Sequence, residues 1–164
     1  GDRFETITMV QNGNRFGNWR LNTDVDCVWA AANFDNSARD ELFISTPWGI
    51  AILRLKTRWR IGGWLLGILK NFGFLLKFLT RQEFYPLLMV PNGTRFDGWL
   101  LNTQDNHFKR FADITGDGKD DILVTSPWGI GVLNFVGDTL HASMMAKNGT
   151  RFGGWLLNTH DNRF

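Results

Sequence analysis

"NGTRFDGWLLNTQDNHF", Asn92 to Phe108, returns as "NGTRFGGWLLNTHDNRF", Asn148 to Phe164, 56 residues later with three differences in 17 positions. A worn copy, "NGNRFGNWRLNT", runs from Asn12 to Thr23. A second segment also recurs: "DITGDGKDDILVTSPWGIGVL", Asp113 to Leu133, is matched 80 residues earlier by "NFDNSARDELFISTPWGIAIL", Asn33 to Leu53. Self-similarity at such periods indicates one supersecondary unit stacked on its own copies, because a unit of this size cannot bury its apolar face alone.

Each copy reads as strands. "TLHASMMA" runs into Asn148-Gly149, a dipeptide whose members both tolerate the positive φ of a tight hairpin. "GWLLNT", "FKRFADI", the acidic loop, "DDILVTS" and "WGIGVLNF" follow. Alternation is clean in "TLHASMM" and poor in "DDILV" and "WLL", the pattern of strands covered on both faces. Four strands per repeat of about 56 residues, with no convincing crossover helix, predict an all-β chain of propeller-type blades, each a four-stranded antiparallel sheet. The 164 residues then form one repeat domain, with units at about 1–55 and 80–135, a third half-unit at 136–164 and an insert at 56–79. So few units cannot close a propeller within one chain. The expectation is a homo-oligomeric ring or a part of a longer chain. The start without Met or a secretory leader reads as a processed form.

The unit resembles the FG-GAP/VCBS-type repeat of integrin-α-like β-propellers and of related fungal and bacterial lectin propellers. "ADITGDGKDDILVTSPWGIGVL", its worn copy and the "GGWLLNT" segments carry that resemblance. It implies a structural Ca²⁺ in the acidic loop. Asp113, Thr115, Asp117, Lys119 (through its carbonyl) and Asp121 place oxygen ligands at every second position, and Gly116 and Gly118 permit the curvature. Hard oxygen donors in an irregular loop suit calcium better than magnesium. Thr115 stands where the family has Asn or Asp. The worn loop, Asn33, Asp35, Ser37, Arg39 and Glu41, has lost two carboxylates and both glycines, so its site is the weaker one. Asp120 is expected to point away from the ion. A hairpin turn with solvated carboxylates is the competing reading.

Trp19, Trp99 and Trp155 share one repeat slot, and Trp48 and Trp128 another. A residue repeated in every unit fills the same interface each time. The functional alternative is that Trp99, Trp128 and Trp155 stack on sugar rings. Asn102, Asp105 and Asn106, repeated as Asn158, Asp161 and Asn162, would then fix the hydroxyls, and near-identical copies would bind multivalently.

The extra spacing of 80 against 56 residues locates about 24 additional residues within Lys56 to Leu79. From Trp64 onward, Leu65, Ile68, Leu69, Phe72, Leu76 and Leu79 fall in one helical arc opposite Lys70 and Lys77, a basic amphipathic pattern. It is too short and too charged to span a bilayer comfortably, but it suits an anionic membrane surface. Between Leu42 and Gln82 lie seven basic residues and no acid, while the remainder carries 11 basic against 16 acidic, a net of −5.

Catalysis is not expected. His107, His141 and His160 are scattered, Ser126 lies in no nucleophile elbow, Cys27 is alone, and no phosphate-binding Gly-rich loop occurs. The leading expectation is an extracellular or secreted, calcium-supported lectin-like or adhesion module. Its partners would be a carbohydrate or cell-surface ligand and further copies of itself, not nucleic acid. A self-assembling structural protein and a membrane-active protein acting through 56–79 are the alternatives.

Overall fold

Val, Ile, Leu and Phe crowd the segments on either side of each Pro-Trp-Gly turn, and these β-favouring runs build the middle of two sheets. The computed structural model describes residues 9–59 and 80–161, and within them every regular element is a strand. The hairpin β1 (Arg15–Phe16) and β2 (Trp19–Arg20) precedes a four-stranded sheet of β3 (Cys27–Ala32), β4 (Glu41–Thr46), β5 (Gly49–Trp59) and β6 (Thr80–Pro91). The arrangement repeats as hairpin β7 (Arg95–Phe96) and β8 (Trp99–Leu100). A second sheet follows, of β9 (His107–Ala112), β10 (Asp121–Ser126), β11 (Gly129–Val136) and β12 (Thr139–Lys147). A last hairpin, β13 (Arg151–Phe152) and β14 (Trp155–Leu156), ends the series. All pairings join sequential strands antiparallel, and among the described residues the sheets close into neither a barrel nor a propeller.

The two larger sheets share one register. Leu42 pairs with Leu53 and Thr46 with Gly49, as Ile122 pairs with Leu133 and Ser126 with Gly129. They differ at one hairpin tip. The second sheet turns after Val136↔Thr139, whereas the first carries on from Lys56↔Glu83 for three more pairs, to Trp59↔Thr80. The segment 56–79 therefore starts as an extension of β5, and its expected amphipathic helix lies outside the described residues. β6 and β12 complete their sheets from beyond the unit boundaries that sequence spacing suggested.

The first sheet is covered on both faces. Ile44, Ala51 and Leu53 on one face pack against Phe16 and Trp19 of the first hairpin. Phe43, Ile50, Ile52 and Val90 on the other join Trp99, Ile122, Val124 and Leu133 in a single core. Aromatic contacts fasten the two sheets, Phe43 to Phe108 at 4.8 Å and Phe34 to Phe111 at 6.1 Å between ring centroids. At about 1.5–3 kcal/mol per fully buried large apolar side chain, this alternation of hairpin and sheet holds the chain together. Among the described residues the third hairpin is left open: Trp155 is 44% and Phe152 48% exposed, against 0% for Trp99 and 1% for Trp19.

The Asn-Gly turns differ from expectation in one respect. Gly93 and Gly149 both sit at φ +89°, but their asparagines do not take positive φ. Thr94 N–H donates to Pro91 O at 3.3 Å. One positive φ at the third position is the pattern of a type II turn, so only the glycine is conformationally required there.

Candidate functional site: paired acidic loops and repeated Trp-lined clefts

The second acidic loop is organised by its own carboxylates. Asp113 Oδ1 accepts the amides of Gly116 (2.6 Å) and Asp117 (3.0 Å), and its Oδ2 accepts that of Gly118 (3.0 Å). Asp117 accepts the Lys119 amide at 2.9 Å, and its other oxygen lies 3.7 Å from the Lys119 ammonium. Buried Asp121 accepts the amides of Ile114 and Thr115 through Oδ2, while its Oδ1 has no hydrogen-bond partner. Gly116 and Gly118 adopt φ of +80° and +84°, which admits this curvature. The donor chemistry fits a hard cation, and the unpartnered buried oxygen of Asp121 is the feature that invites one. Among the described residues no three acidic, His or Cys side chains converge as metal ligands.

The first loop is built differently. Glu41, at the place of Asp121, accepts the Phe34 amide at 3.1 Å and the Arg54 Nε–H at 3.0 Å. The same guanidinium forms an ion pair with Asp35. Burial pushes the Glu41 carboxyl above its ordinary range and neighbouring Asp40 adds to this, while the Phe34 amide and the Ser37 hydroxyl pull it back. Asp35 also caps the Ser37 amide at 3.0 Å, and the exposed Arg39 contributes its carbonyl to the Ser37 hydroxyl at 2.9 Å. Asp120 does turn away from its own loop: its carboxylate accepts the Asn33 amide at 2.8 Å and its amide donates to Asn33 O at 2.7 Å. The two loops are thereby clipped together at one end of the molecule.

The ligand candidates split into two groups. Trp99 is fully buried over Gly131, and its indole N–H donates to Asn106 Oδ1 at 3.1 Å. Those two side chains are spent on internal packing. Asn102 accepts the Gln104 amide and donates to Asp105, and Asn158 donates to Asp161 in the same way. The Asn-Thr loops latch each hairpin to the preceding sheet: Thr103 Oγ–H donates to Thr46 O and Thr159 Oγ–H to Ser126 O, each at 2.7 Å. Asn162 lies outside the described residues. Exposed Trp155 stacks on Phe152 at 5.7 Å.

Trp128 packs on Trp99 at 4.5 Å and keeps part of its face open. It lines a cleft of about 230 Å³ with Asn102, Asp105, Asn106 and Pro127, so the structure gathers four of the candidate ligand residues around one surface feature. An adjoining hollow of about 770 Å³ adds Arg95, Met145 and Lys147, which sequence reasoning did not single out. Equivalent clefts recur in the first unit beside Trp48, which is 39% exposed, with Arg20, Asn22, Asp24 and Pro47 at the rim. Trp48 was legible as a repeated residue; Arg20 and Lys147 reach the rim only through strand pairing. His141 Nδ1 lies 3.0 Å from Asp97 on an exposed face, where Asp97 also accepts the Ala142 amide, so this pair joins β12 to the β7–β8 turn.

No protein-family model, curated protein or solved structure matches the chain. No helix among the described residues is long and apolar enough to cross a membrane.

Proposed function

We propose that this chain is a non-catalytic recognition module of the lectin-like or adhesion type, with propeller-type blades as its repeat and one binding cleft per unit. The observation that carries the reading is the recurrence of the same cleft, between the Asn-Thr loop and the Pro-Trp turn, in both units. A partly open indole beside asparagine and aspartate suits a sugar: the ring's apolar face stacks while its hydroxyls find both donors and acceptors. Shallow sites of this kind are weak singly and gain from repetition. Calcium in the loop of Asp113 to Asp121 is structural in this reading, and the extracellular space is its natural setting. A glycan array tests it. One sugar class should be bound by the wild type and lost in Trp128→Ala and Asp105→Ala, with the melting behaviour retained in Asp105→Ala, since Trp128 also packs on Trp99. Asn106→Ala and Trp99→Ala are poor probes, because both disturb the buried core.

Self-assembly is the second reading, favoured by the exposure of Met144, Phe152 and Trp155 at the last hairpin and sheet. The counterparts of the two aromatics in the second unit, Phe96 and Trp99, lie buried between sheets. Concentration-dependent growth in light scattering, abolished by Trp155→Ser together with Phe152→Ser, supports assembly. A blank array would then leave assembly as the function. Membrane contact through 56–79 is the third reading; its residues 60–79 lie outside the described residues, and vesicle co-sedimentation tests it.

A further inference from the structure

The two acidic loops occupy equivalent positions but solve the same electrostatic problem with different residues. In the first sheet, Leu42 pairs with Leu53, so Glu41 and Arg54 face each other one step further along the ladder. In the second, Ile122 pairs with Leu133, which places Asp121 opposite Asn134. Side chains directly opposite in an antiparallel pair lie close enough to interact.

At the first position the guanidinium of Arg54 holds Glu41 through Nε and Asp35 through its terminal nitrogen. The Glu41 side chain is fully buried, and a buried carboxylate without a partner is strongly destabilising. Arg suits this place because its rigid fork can serve two carboxylates at once. Asn33 Oδ1 is a loop oxygen left over, and a neutral amide oxygen is far less costly to bury unpaired than a carboxylate. At the second position that cation is missing from the sequence. Asp121 Oδ1 and Asn134 Oδ1 are both buried oxygens without a hydrogen-bond partner. Lys119 does not fill the role: its ammonium is directed at Asp117 and the Phe135 carbonyl.

We propose that Arg54 is a built-in cation which replaces a dissolved one in the first loop, whereas the second loop, carrying Asn134 at the same place, takes its cation from solution between Asp121 and Asn134. The second half rests on the calcium reading given above; the first half does not. One unit is then independent of cations and the other dependent on them, although both descend from one repeat pattern. Because Asn33 and Asp120 clip the loops together, the guanidinium of the first also steadies the frame of the second.

The test exchanges the two residues and reads melting temperature in EDTA and in calcium, with terbium luminescence reporting the number of occupied sites. In EDTA, Arg54→Asn should melt several degrees below the wild type, and calcium should recover part of the loss with one additional terbium bound. Asn134→Arg should make melting insensitive to EDTA. Arg58→Asn is the control, since Arg58 is an exposed arginine which, among the described residues, pairs with Glu83 at 3.5 Å. If Arg54→Asn melts with that control, or if its loss resists every calcium concentration, the proposal is overturned. If Arg54→Asn does not fold, Arg54→Lys keeps the charge without the fork and should fold and melt below the wild type in EDTA, and an Arg54→Lys that melts with the wild type overturns the proposal. A wild type indifferent to EDTA removes the calcium reading of the second loop, while the metal-free melting of Arg54→Asn still decides the first.

Discussion

The indole N–H of Trp99 is satisfied by Asn106 over 3.1 Å, and both side chains are buried. The corresponding pair in the first unit is Trp19 and Asp26. There Asp26 accepts the Asn22 amide at 2.8 Å, just as Asn106 accepts that of Asn102, but the Trp19 N–H has no partner. Two copies of one motif thus differ in how well their central tryptophan is anchored.

Asn106→Ala should destabilise the protein by about 1–3 kcal/mol, since it strands a buried donor and removes an acceptor from the Asn102 amide. Asp26→Ala should cost less, because among the described residues its side chain gives up the exposed Asn22 contact alone. Urea denaturation of the two variants side by side gives the comparison, and equal losses would contradict it.

Gly131 lies under Trp99 so closely that a Cβ there would meet the ring at 2.6 Å. Gly131→Ala must displace the indole, at about 1–3 kcal/mol for overpacking of this kind. The first unit already carries Ala51 in this slot beneath Trp19. Trp99→Phe should relieve part of the cost in the double variant. A melting temperature unchanged by Gly131→Ala would show that the ring is not seated as described.

Cation removal should act through the second loop. Binding to the native state alone adds about 2.7 kcal/mol at a hundredfold excess over Kd, so EDTA should lower Tm by several degrees. Asp117→Ala should abolish that sensitivity. Asp113→Ala should do the same and also melt lower in EDTA, because three loop amides lose their acceptor. Ser37→Ala should leave the calcium response unchanged. An EDTA-insensitive wild type would reduce the loop to a turn.

Glu41 sets a pH dependence whose sign follows from its burial. Its carboxyl is raised above the ordinary 4.5 in the folded protein, so its contribution is complete below that pH and falls away as pH rises through the raised value. Stability of the wild type measured against Glu41→Gln should therefore decline across that window and then level off. Arg54→Asn removes the adjacent cation and should extend the decline to higher pH. Urea midpoints at a series of pH values read this directly; a difference independent of pH would rule it out.

The strand content and the hairpins were legible in the chain itself, but the unit boundaries were not, since β6 and β12 complete their sheets from beyond them. Asn-Gly before "RF", tryptophan three residues after that phenylalanine, and β-favouring runs around Pro-Trp-Gly are local signals, and local signals dictate local pairing. Both acidic loops were equally visible. What the sequence left open was decided by contacts between residues far apart in it. Trp99 and Asn106 resemble sugar-binding residues in composition, yet the packing of the hairpin between two sheets buries them together. Trp48, Arg20 and Lys147 reach cleft rims because strand pairing carries them there. Arg54 lies 13 positions from Glu41 and becomes its counter-ion only through the β4–β5 register. Repetition fixes which residues recur, because each unit folds by the same short-range rules. Burial and charge compensation depend on which neighbour the next unit presents, so tertiary structure alone separates a packed tryptophan from an open one, and a loop with its own cation from a loop with an unpartnered carboxylate oxygen.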